Sequence, residues 1–506
     1  MKLTRVILAL LPLVFLAACE EKPAPGPVEN IPLELTTEEL EFSAAGGKET
    51  VGIKASSKPS VVGLYDWCSW ENRAEGENAY SLEISVKENK GEARKAEFSI
   101  VCGDTKKLLK LTQEGIDPFS FLETPQLPDN AATALGKQLG IGWNLGNQMD
   151  ANSNGVANET VWGNARATQE CLDKVKEAGF STVRIPVTWM GHIGEAPEYK
   201  IEDAWLDRVA EIVGYAEKAG LKAIVNIHHD GADSKYWLDI AGAAKDAALQ
   251  QGILAQITAV WGQIAAKFAD KGDFLIFEAF NEIHDGNWGW GANRNDGGAQ
   301  YRCLNEWNAA FVKAVRAAGG YNADRLLGVP AYCTNIDLAI ESFVLPEDSV
   351  RDRLMLSVHC YDPGDYCLTA KKAQWGHTAD ASLKPAGDNE AELKQCFDKL
   401  FDNFISKGIP VYIGECGCVN RSSAVEQAFQ QYYLSFFATL SARYGVPAMI
   451  WDNGADGSGN ESFGYINHSS GQFISEGSKA AIQSMVNSYR SGGTLKEIYL
   501  KAPENK

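Results

Sequence analysis

The sequence predicts an α/β protein: a (β/α)8 barrel preceded by a small all-β sandwich. Three observations carry this prediction. Eight short apolar runs alternate with helical stretches from about residue 129 onward; a group of short alternating segments broken by Gly, Asn and Asp precedes them; and 506 residues are too many for one ordinary domain. The runs are "IGWNLGN", "STVRIPV", "LKAIVNIHH", "FLIFEAFNE", "RLLGVPAY", "LMLSVHCYD", "IPVYIGECG" and "PAMIWDNG". Helical periodicity lies between them. From Asp203 to Ala219, Trp205, Val209, Ile212, Val213 and Ala216 recur near every 3.6 residues and form one apolar face. A doubly wound sheet would need an early Gly-rich phosphate turn, and "GIGWNLGN" opens no such helix.

In chain order, residues 1–18 read as an export signal. Lys2 and Arg5 precede an apolar stretch too short to span a bilayer, which ends in small residues before Cys19. Leu16-Ala17-Ala18-Cys19 resembles a bacterial lipobox, which implies a lipidated Cys19, membrane attachment without a spanning helix, and an outer-membrane, surface-exposed location. The alternative is a plain secretory signal with an incidental Cys. Residues 19–30, "CEEKPAPGPVEN", form a Pro-rich spacer. Residues 31–116 hold "LELTTEELEFSAAGG", "YSLEISVKEN", "KAEFSIVCGD" and "KLLKLTQEG", the pattern of a sandwich. This region resembles the BACON domain, an immunoglobulin-like module, through "FSAAGG", "DWCSW" and "LTQEG". The resemblance implies carbohydrate binding, whereas Trp67 and Trp70 read better as core residues. Residues 117–128 are a connection, and 129–506 the barrel.

Composition narrows the function classes. A formal charge of −19 argues against nucleic acid, which would require a basic face, and suits an enzyme acting on a neutral substrate. Ten cysteines follow Cys19 without paired metal-ligand spacing, so neither a metal nor another cofactor is expected. Cys68 with Cys102, or Cys360 with Cys367, could pair; buried free thiols are the other reading. A monomer is expected.

Side chains at the C-terminal ends of barrel strands converge on one mouth, where enzymes of this fold do their chemistry. The last polar residues of the runs are Asn144, Arg184, His228 and His229, Asn281 and Glu282, His359 and Tyr361, Glu415, and Trp451. Two carboxylates at the tips of strands four and seven, ringed by these groups, suit glycosidic cleavage. One protonates the leaving oxygen, and the other, ionised, attacks the anomeric carbon. Arg184 is placed to keep Glu415 ionised, while apolar neighbours should raise Glu282 as the acid. Adjacent strand residues face opposite ways, so only one of His228 and His229 is expected in the cleft. Among Trp162, Trp189, Trp237, Trp288 and Trp290, Trp288 and Trp189 are expected as sugar platforms, and "DNGADGSGNESFG" after Trp451 as a flexible rim.

From about Asp129 to Leu495 the chain resembles glycoside hydrolase family five, through "VRIPVTW", "NIHHD", "FEAFNE", "SVHCYDP", "IGECG" and "MIWDNG" in that order. The resemblance implies Glu282 as acid/base and Glu415 as nucleophile, with Arg184 and Tyr361 positioning Glu415. It also implies Asn281 on the sugar 2-hydroxyl, His229 and His359 lining the cleavage subsite, and Trp451 beneath the sugar. Family members often carry Asn-Glu-Pro on strand four, where this chain has Ile283. "ETVWGN", "TVRIPVTWMGHIG", "AWLDRV" and "NIHHDG" resemble the endoglucanase and xyloglucanase subfamily, which implies a retaining endo-β-1,4-glucanase acting on xyloglucan. The alternatives are action on cellulose or mixed-linkage glucan, a β-mannanase, and a non-catalytic surface glycan-binding protein.

Overall fold

The computed structural model describes residues 31–232 and 236–505. The expected export signal, Cys19 and the expected Pro-rich spacer lie outside the described residues. The chain divides into two compact units, one ending at Ser120 and the other starting at Phe121.

The first unit is a sandwich of two four-stranded sheets. Its strands are β1 (Glu34–Leu35), β2 (Glu39–Phe42), β3 (Gly47–Lys54), β4 (Ser60–Val62), β5 (Cys68–Gly76), β6 (Ala79–Val86), β7 (Arg94–Cys102) and β8 (Thr105–Gln113). One sheet runs β1-β3-β6-β5 and the other β2-β8-β7-β4. Strict alternation sends Leu82, Ile84 and Val86 of β6, and Leu109 and Leu111 of β8, into a shared core with Phe98 and Ile100. The two tryptophans part company. Trp67 packs against this core under the Arg94 guanidinium, 4.4 Å from its ring, but Trp70 sits on β5 and is 40% exposed, which corrects the core reading for that residue. Cys68 and Cys102 are both free thiols, as are Cys360 and Cys367.

The second unit is a closed barrel of eight parallel strands in sequence order. They are β9 (Ile141–Asn144), β10 (Thr182–Ile185), β11 (Lys222–Asn226), β12 (Leu275–Glu278), β13 (Leu327–Pro330), β14 (Leu354–Cys360), β15 (Val411–Cys416) and β16 (Ala448–Ile450). Each predicted apolar run contains one of them, because a strand covered on both faces selects continuous apolar sequence. The helices that follow them are α1 (Gln169–Ala178), α2 (Asp203–Ala219), α3 (Ala247–Lys267), α4 (Ala299–Ala317), α5 (Ile336–Ser342), α6 (Asn389–Asn403), α7 (Ala424–Tyr444) and α8 (Glu476–Ser491). Local signals set their ends: Ser423 and Glu426 form a capping box at the start of α7, and Gly445 closes it in the left-handed region at φ 66°. Residues 121–128, the end of the expected connection, lie against this unit: Leu122 is buried and Arg443 Nε donates to Thr124 Oγ1 at 3.1 Å.

The barrel interior is layered, and its layers change character along the axis. The lower layer is apolar, with Ile224, Ile276, Met355, Tyr412 and Met449 closed from below by Leu139. Two inward glycines leave room for the large members. A Cβ on Gly142 would overlap Met449 Sδ, and one on Gly328 would overlap Tyr412 Oη. The next layer is polar and fully buried: Asn144, Arg184, Asn226 and Glu278. Tyr412 Oη donates upward to Glu278 at 2.7 Å, so the apolar packing aims the first polar contact of the site. Gly328→Ala is expected to cost about 1–3 kcal/mol through overpacking and to lower turnover together with stability. Urea unfolding and activity measured on the same preparation check this, and an unchanged unfolding midpoint would remove the role given to Gly328.

Candidate active site

The polar layer is organised by Arg184, in the middle of β10. Its Nε and Nη2 donate to the two oxygens of Glu278 at 3.0 and 2.7 Å. Nη2 also donates to Asn281 Oδ1 at 2.8 Å, and Nη1 to Asn144 Oδ1 at 3.0 Å and Glu415 Oε1 at 2.7 Å. Every N–H of the fork therefore has an acceptor, which a buried guanidinium requires.

Glu278 is the residue that the strand-end reading passes over, because it lies inside an apolar run. Alternation along β12 places it on the same inward face as Ile276, where a carboxylate demands a cation. Its four contacts are Arg184 twice, Asn226 Nδ2 at 3.0 Å and Tyr412 Oη at 2.7 Å. Burial pushes its carboxyl up, but the Arg184 charge and these hydrogen bonds outweigh burial and hold it below the ordinary glutamate value.

Glu415 and Glu282 stand above this layer. Arg184 holds one oxygen of Glu415, and Tyr361 Oη donates to the other at 3.0 Å. Burial and the nearby carboxylates keep the Tyr361 phenol well above its usual range, so it remains a donor. Glu282 Oε1 lies 2.6 Å from His359 Nδ1 and 3.5 Å from Thr334 Oγ1. Donor atoms of Glu282, His359 and Glu415 all lie within 4.8 Å of one another, so the two carboxylates approach closely across the barrel mouth. The expectation of a raised Glu282 is corrected. Burial does raise it, but His359, then His284 and Arg184, outweigh burial and hold it below the ordinary glutamate value.

Around the pair opens a cleft of about 730 Å³. Its walls include His228, His229, Asn281, Glu282, Trp288, His359, Tyr361, Glu415 and Trp451. Asn144 and Arg184 are not on the wall. Both are fully buried beneath it, and Asn144 Nδ2 donates to the carbonyls of Gly414 and Met449. The histidine expectation is also corrected: β11 ends at Asn226, so alternation no longer governs the next residues, and both rings reach the cleft at 4.5 Å from each other. Asn226 Nδ2 donates to His228 Nδ1, which leaves the Nε2 proton facing Glu415 Oε1 at 3.8 Å. Burial, then His229 and Arg184, push His228 well below its usual value and keep it neutral.

Trp288 lines the cleft, 52% exposed, in a left-handed conformation at φ 50° and stacked on His284 at 4.3 Å. Trp189 is no platform: it is fully buried, and its indole N–H donates to Asn226 O. Trp162, not among the expected platforms, reaches the cleft beside His229. Trp237 donates to Asp230, and Trp290 lies outside the wall. The expected rim loop contributes Asn453, Glu461 and Phe463 to the wall, while Asp452 at its base is buried and accepts from the Trp143 indole at 2.8 Å.

Two further wall residues carry backbone strain. Cys333 and Thr334 follow one another at φ 54° and 47°, and a β-branched residue there costs on the order of 1–3 kcal/mol. Cys333 N–H donates to Ile283 O at 2.9 Å, which fastens the strained turn beside Glu282. Strain of this kind has no signature in composition or periodicity. As for metals, Asp150, His228 and His229 also bring donor atoms within 4.8 Å, but Asp150 already receives the amides of Asn147 and Gln148, and His228 Nδ1 receives Asn226.

The family model for cellulase, glycosyl hydrolase family 5, matches residues 147–457. Endoglucanase A of Paenibacillus barcinonensis is 36% identical over 343 residues, covering 64% of this chain and 83% of its own. The structure of a GH5-4 broad-specificity endoglucanase from Bacteroides salanitronis is 53% identical with a TM-score of 0.70, covering 73% of this chain and 98% of that one. A Bacteroides ovatus GH5 xyloglucanase in complex with a XXXG heptasaccharide is 28% identical with a TM-score of 0.63, covering 90% and 100%.

The Glu278–Arg184 pair yields a prediction. A carboxylate held below its unfolded value adds stability at every pH above that unfolded value, and this is lost as pH falls through the lowered folded value. Glu278→Gln is expected to cost about 3–5 kcal/mol at neutral pH and to flatten the acid limb of the stability curve. Urea titrations at several pH values test it; an acid limb as steep as the parent's would show that Glu278 does not carry it.

Proposed function

Since the chain belongs to the cellulase family, glycosyl hydrolase family 5, we propose that it is a retaining endo-β-1,4-glucanase with Glu415 as nucleophile and Glu282 as acid/base. The observation that carries this is the close approach of the two carboxylates, one oxygen of each lying within 4.8 Å of the other, which is on the side of the short retaining separation and not the wider inverting one. In the first step a Glu415 oxygen bonds to the anomeric carbon while the Glu282 proton passes to the departing glycosidic oxygen. In the second, Glu282 takes a proton from water, whose oxygen displaces Glu415 from the same carbon. Arg184 and Tyr361, one on each Glu415 oxygen, fix its plane for both attacks. Glu282 is held low in the free protein, so it acquires its proton as the bound sugar covers it and adds to its burial.

Glu415→Ala is expected to abolish turnover on all substrates. Glu282→Ala should spare aryl glycosides whose leaving group needs no proton, and azide should restore their turnover by entering the vacated space. Proton NMR during hydrolysis decides the stereochemistry, and inversion of the anomeric configuration would overturn both roles.

The substrate we propose is xyloglucan. The cleft carries Trp288 and Trp162 on its wall, and such platforms suit a glucan chain held over several subsites. The xyloglucanase likeness extends over 90% of the chain. A second reading, broad action on unbranched β-1,4-glucan, is favoured by the higher identity to a broad-specificity endoglucanase. Catalytic efficiencies on xyloglucan, carboxymethylcellulose and glucomannan separate the two. Xyloglucan is expected to be cleaved fastest, to oligosaccharides; unbranched glucan as the best substrate would favour the second reading, and mannan as the best would sink both.

A further inference from the structure

Behind the wall that carries His359 and Tyr361 lies a group of side chains that glycoside cleavage does not use. Cys360 is the last residue of β14, between those two, and alternation turns its thiol away from the cleft toward the helix layer. There it meets Cys396 of α6. Asp362 closes the group, and one donor atom from each of the three lies within 4.8 Å of the others. Cys360 Sγ is 3.8 Å from Asp362 Oδ2.

We propose that Cys360, Cys396 and Asp362 form a binding site for one thiophilic divalent cation of the zinc or cadmium class, and that its occupation inhibits turnover. The dimensions fit. With metal–sulfur bonds of about 2.3 Å and metal–oxygen bonds of about 2.1 Å, a tetrahedral zinc site has sulfur–sulfur edges of about 3.8 Å and sulfur–oxygen edges of about 3.6 Å. The observed 3.8 Å between Cys360 Sγ and Asp362 Oδ2 needs little adjustment. The ligands are also supported. Asp362 O accepts from Tyr433 Oη at 3.0 Å and from Cys367 Sγ at 3.6 Å, so its carboxylate is presented from an anchored backbone.

Both thiols are free, and Cys396 Sγ donates within its own helix, to Glu392 O. Lys399, a cation close enough to act on Cys396 and Asp362, is paired with Asp337 at 2.6 Å. Binding would exchange two thiol protons for the cation, M²⁺ plus two RSH and one carboxylate giving the complex and two H⁺, with no change of oxidation state. Asp362 is exposed and also lines the cleft, which gives a cation a path to the group.

Coupling to the reaction follows from chain order. Cys360 is bonded to His359, which holds Glu282 at 2.6 Å, and to Tyr361, which holds Glu415 at 3.0 Å. The Cys396 donor atom is held only within 4.8 Å of the other two, against a sulfur–sulfur edge of about 3.8 Å in a closed tetrahedral site, so closing the site draws Cys360 toward α6 and takes both neighbours with it. Displacement of a reacting group by about 1 Å costs up to about a hundredfold in rate. The inhibitory half of the proposal rests on the glycosidase reading; the binding half does not.

The test is a cadmium titration of the full chain prepared under a reductant that does not bind metal, followed by thiolate-to-cadmium absorbance and by activity on the best β-glucan substrate. One cadmium per chain, two protons released, and a loss of activity of at least about tenfold that EDTA reverses are expected. Cys396→Ser should keep the metal-free activity and lose both the absorbance and the inhibition. Absorbance that persists in Cys396→Ser, or fails to develop in the parent, overturns the site. Cadmium bound at this site with unchanged activity overturns the inhibition alone, and does so even if the polysaccharide preference proves different.

Discussion

The structure turns on one buried guanidinium. Arg184 has no access to solvent, yet it faces Glu278 below and Glu415 above, and two carboxylates sharing a single cation leave the group with a net negative charge. Such a group is tolerable in a barrel core only if each donor and acceptor is matched, since the desolvation of three charges exceeds what any one pair returns. The matching extends outward through Asn144, Asn226, Asn281 and Tyr412, drawn from four different strands or strand ends. A planar fork can meet this many acceptors in fixed directions, and a lysine ammonium could not.

This dependence explains which parts were legible in the sequence. The eight strands could be read because parallel barrel strands are apolar on both faces and end abruptly in polar residues. Glu282 and Glu415 stood out as carboxylates at such ends. Glu278 did not, because inside an apolar run its neighbours looked like ordinary strand residues; only the inward alternation from Ile276, joined to an unpaired arginine on another strand, would have pointed to it. Asn144 is legible as a strand end, but it lies one layer below the cleft.

Other differences have local causes. The histidine pair was read by strand alternation, which ceases where β11 ends. Trp189 and Trp288 each follow a strand end closely, and distance along the chain does not tell a ring that turns inward to Asn226 from one that a left-handed backbone turns outward. The low Glu282 depends on His359, a residue 77 positions away, so the apolar neighbours in sequence were poor guides to its surroundings. The Cys360–Cys396 approach likewise joins a strand to a helix, and spacing along the chain pointed to Cys367 instead.

The two candidate carboxylates are mounted differently. Glu415 lies within β15, paired to its neighbour strand through His359, and so belongs to the hydrogen-bonded wall of the barrel. Glu282 comes four residues after β12 ends and leans on the turn at Cys333 and Thr334, which is tied to it through Ile283. One carboxylate is thus a fixed datum and the other an adjustable jaw. The gap between them, the quantity that separates one stereochemical outcome from the other, therefore depends on the loop after β13 as well as on His359 of β14. A change confined to that surface connection would therefore reach the gap while the strands, the inner layers and the buried arginine stay as they are.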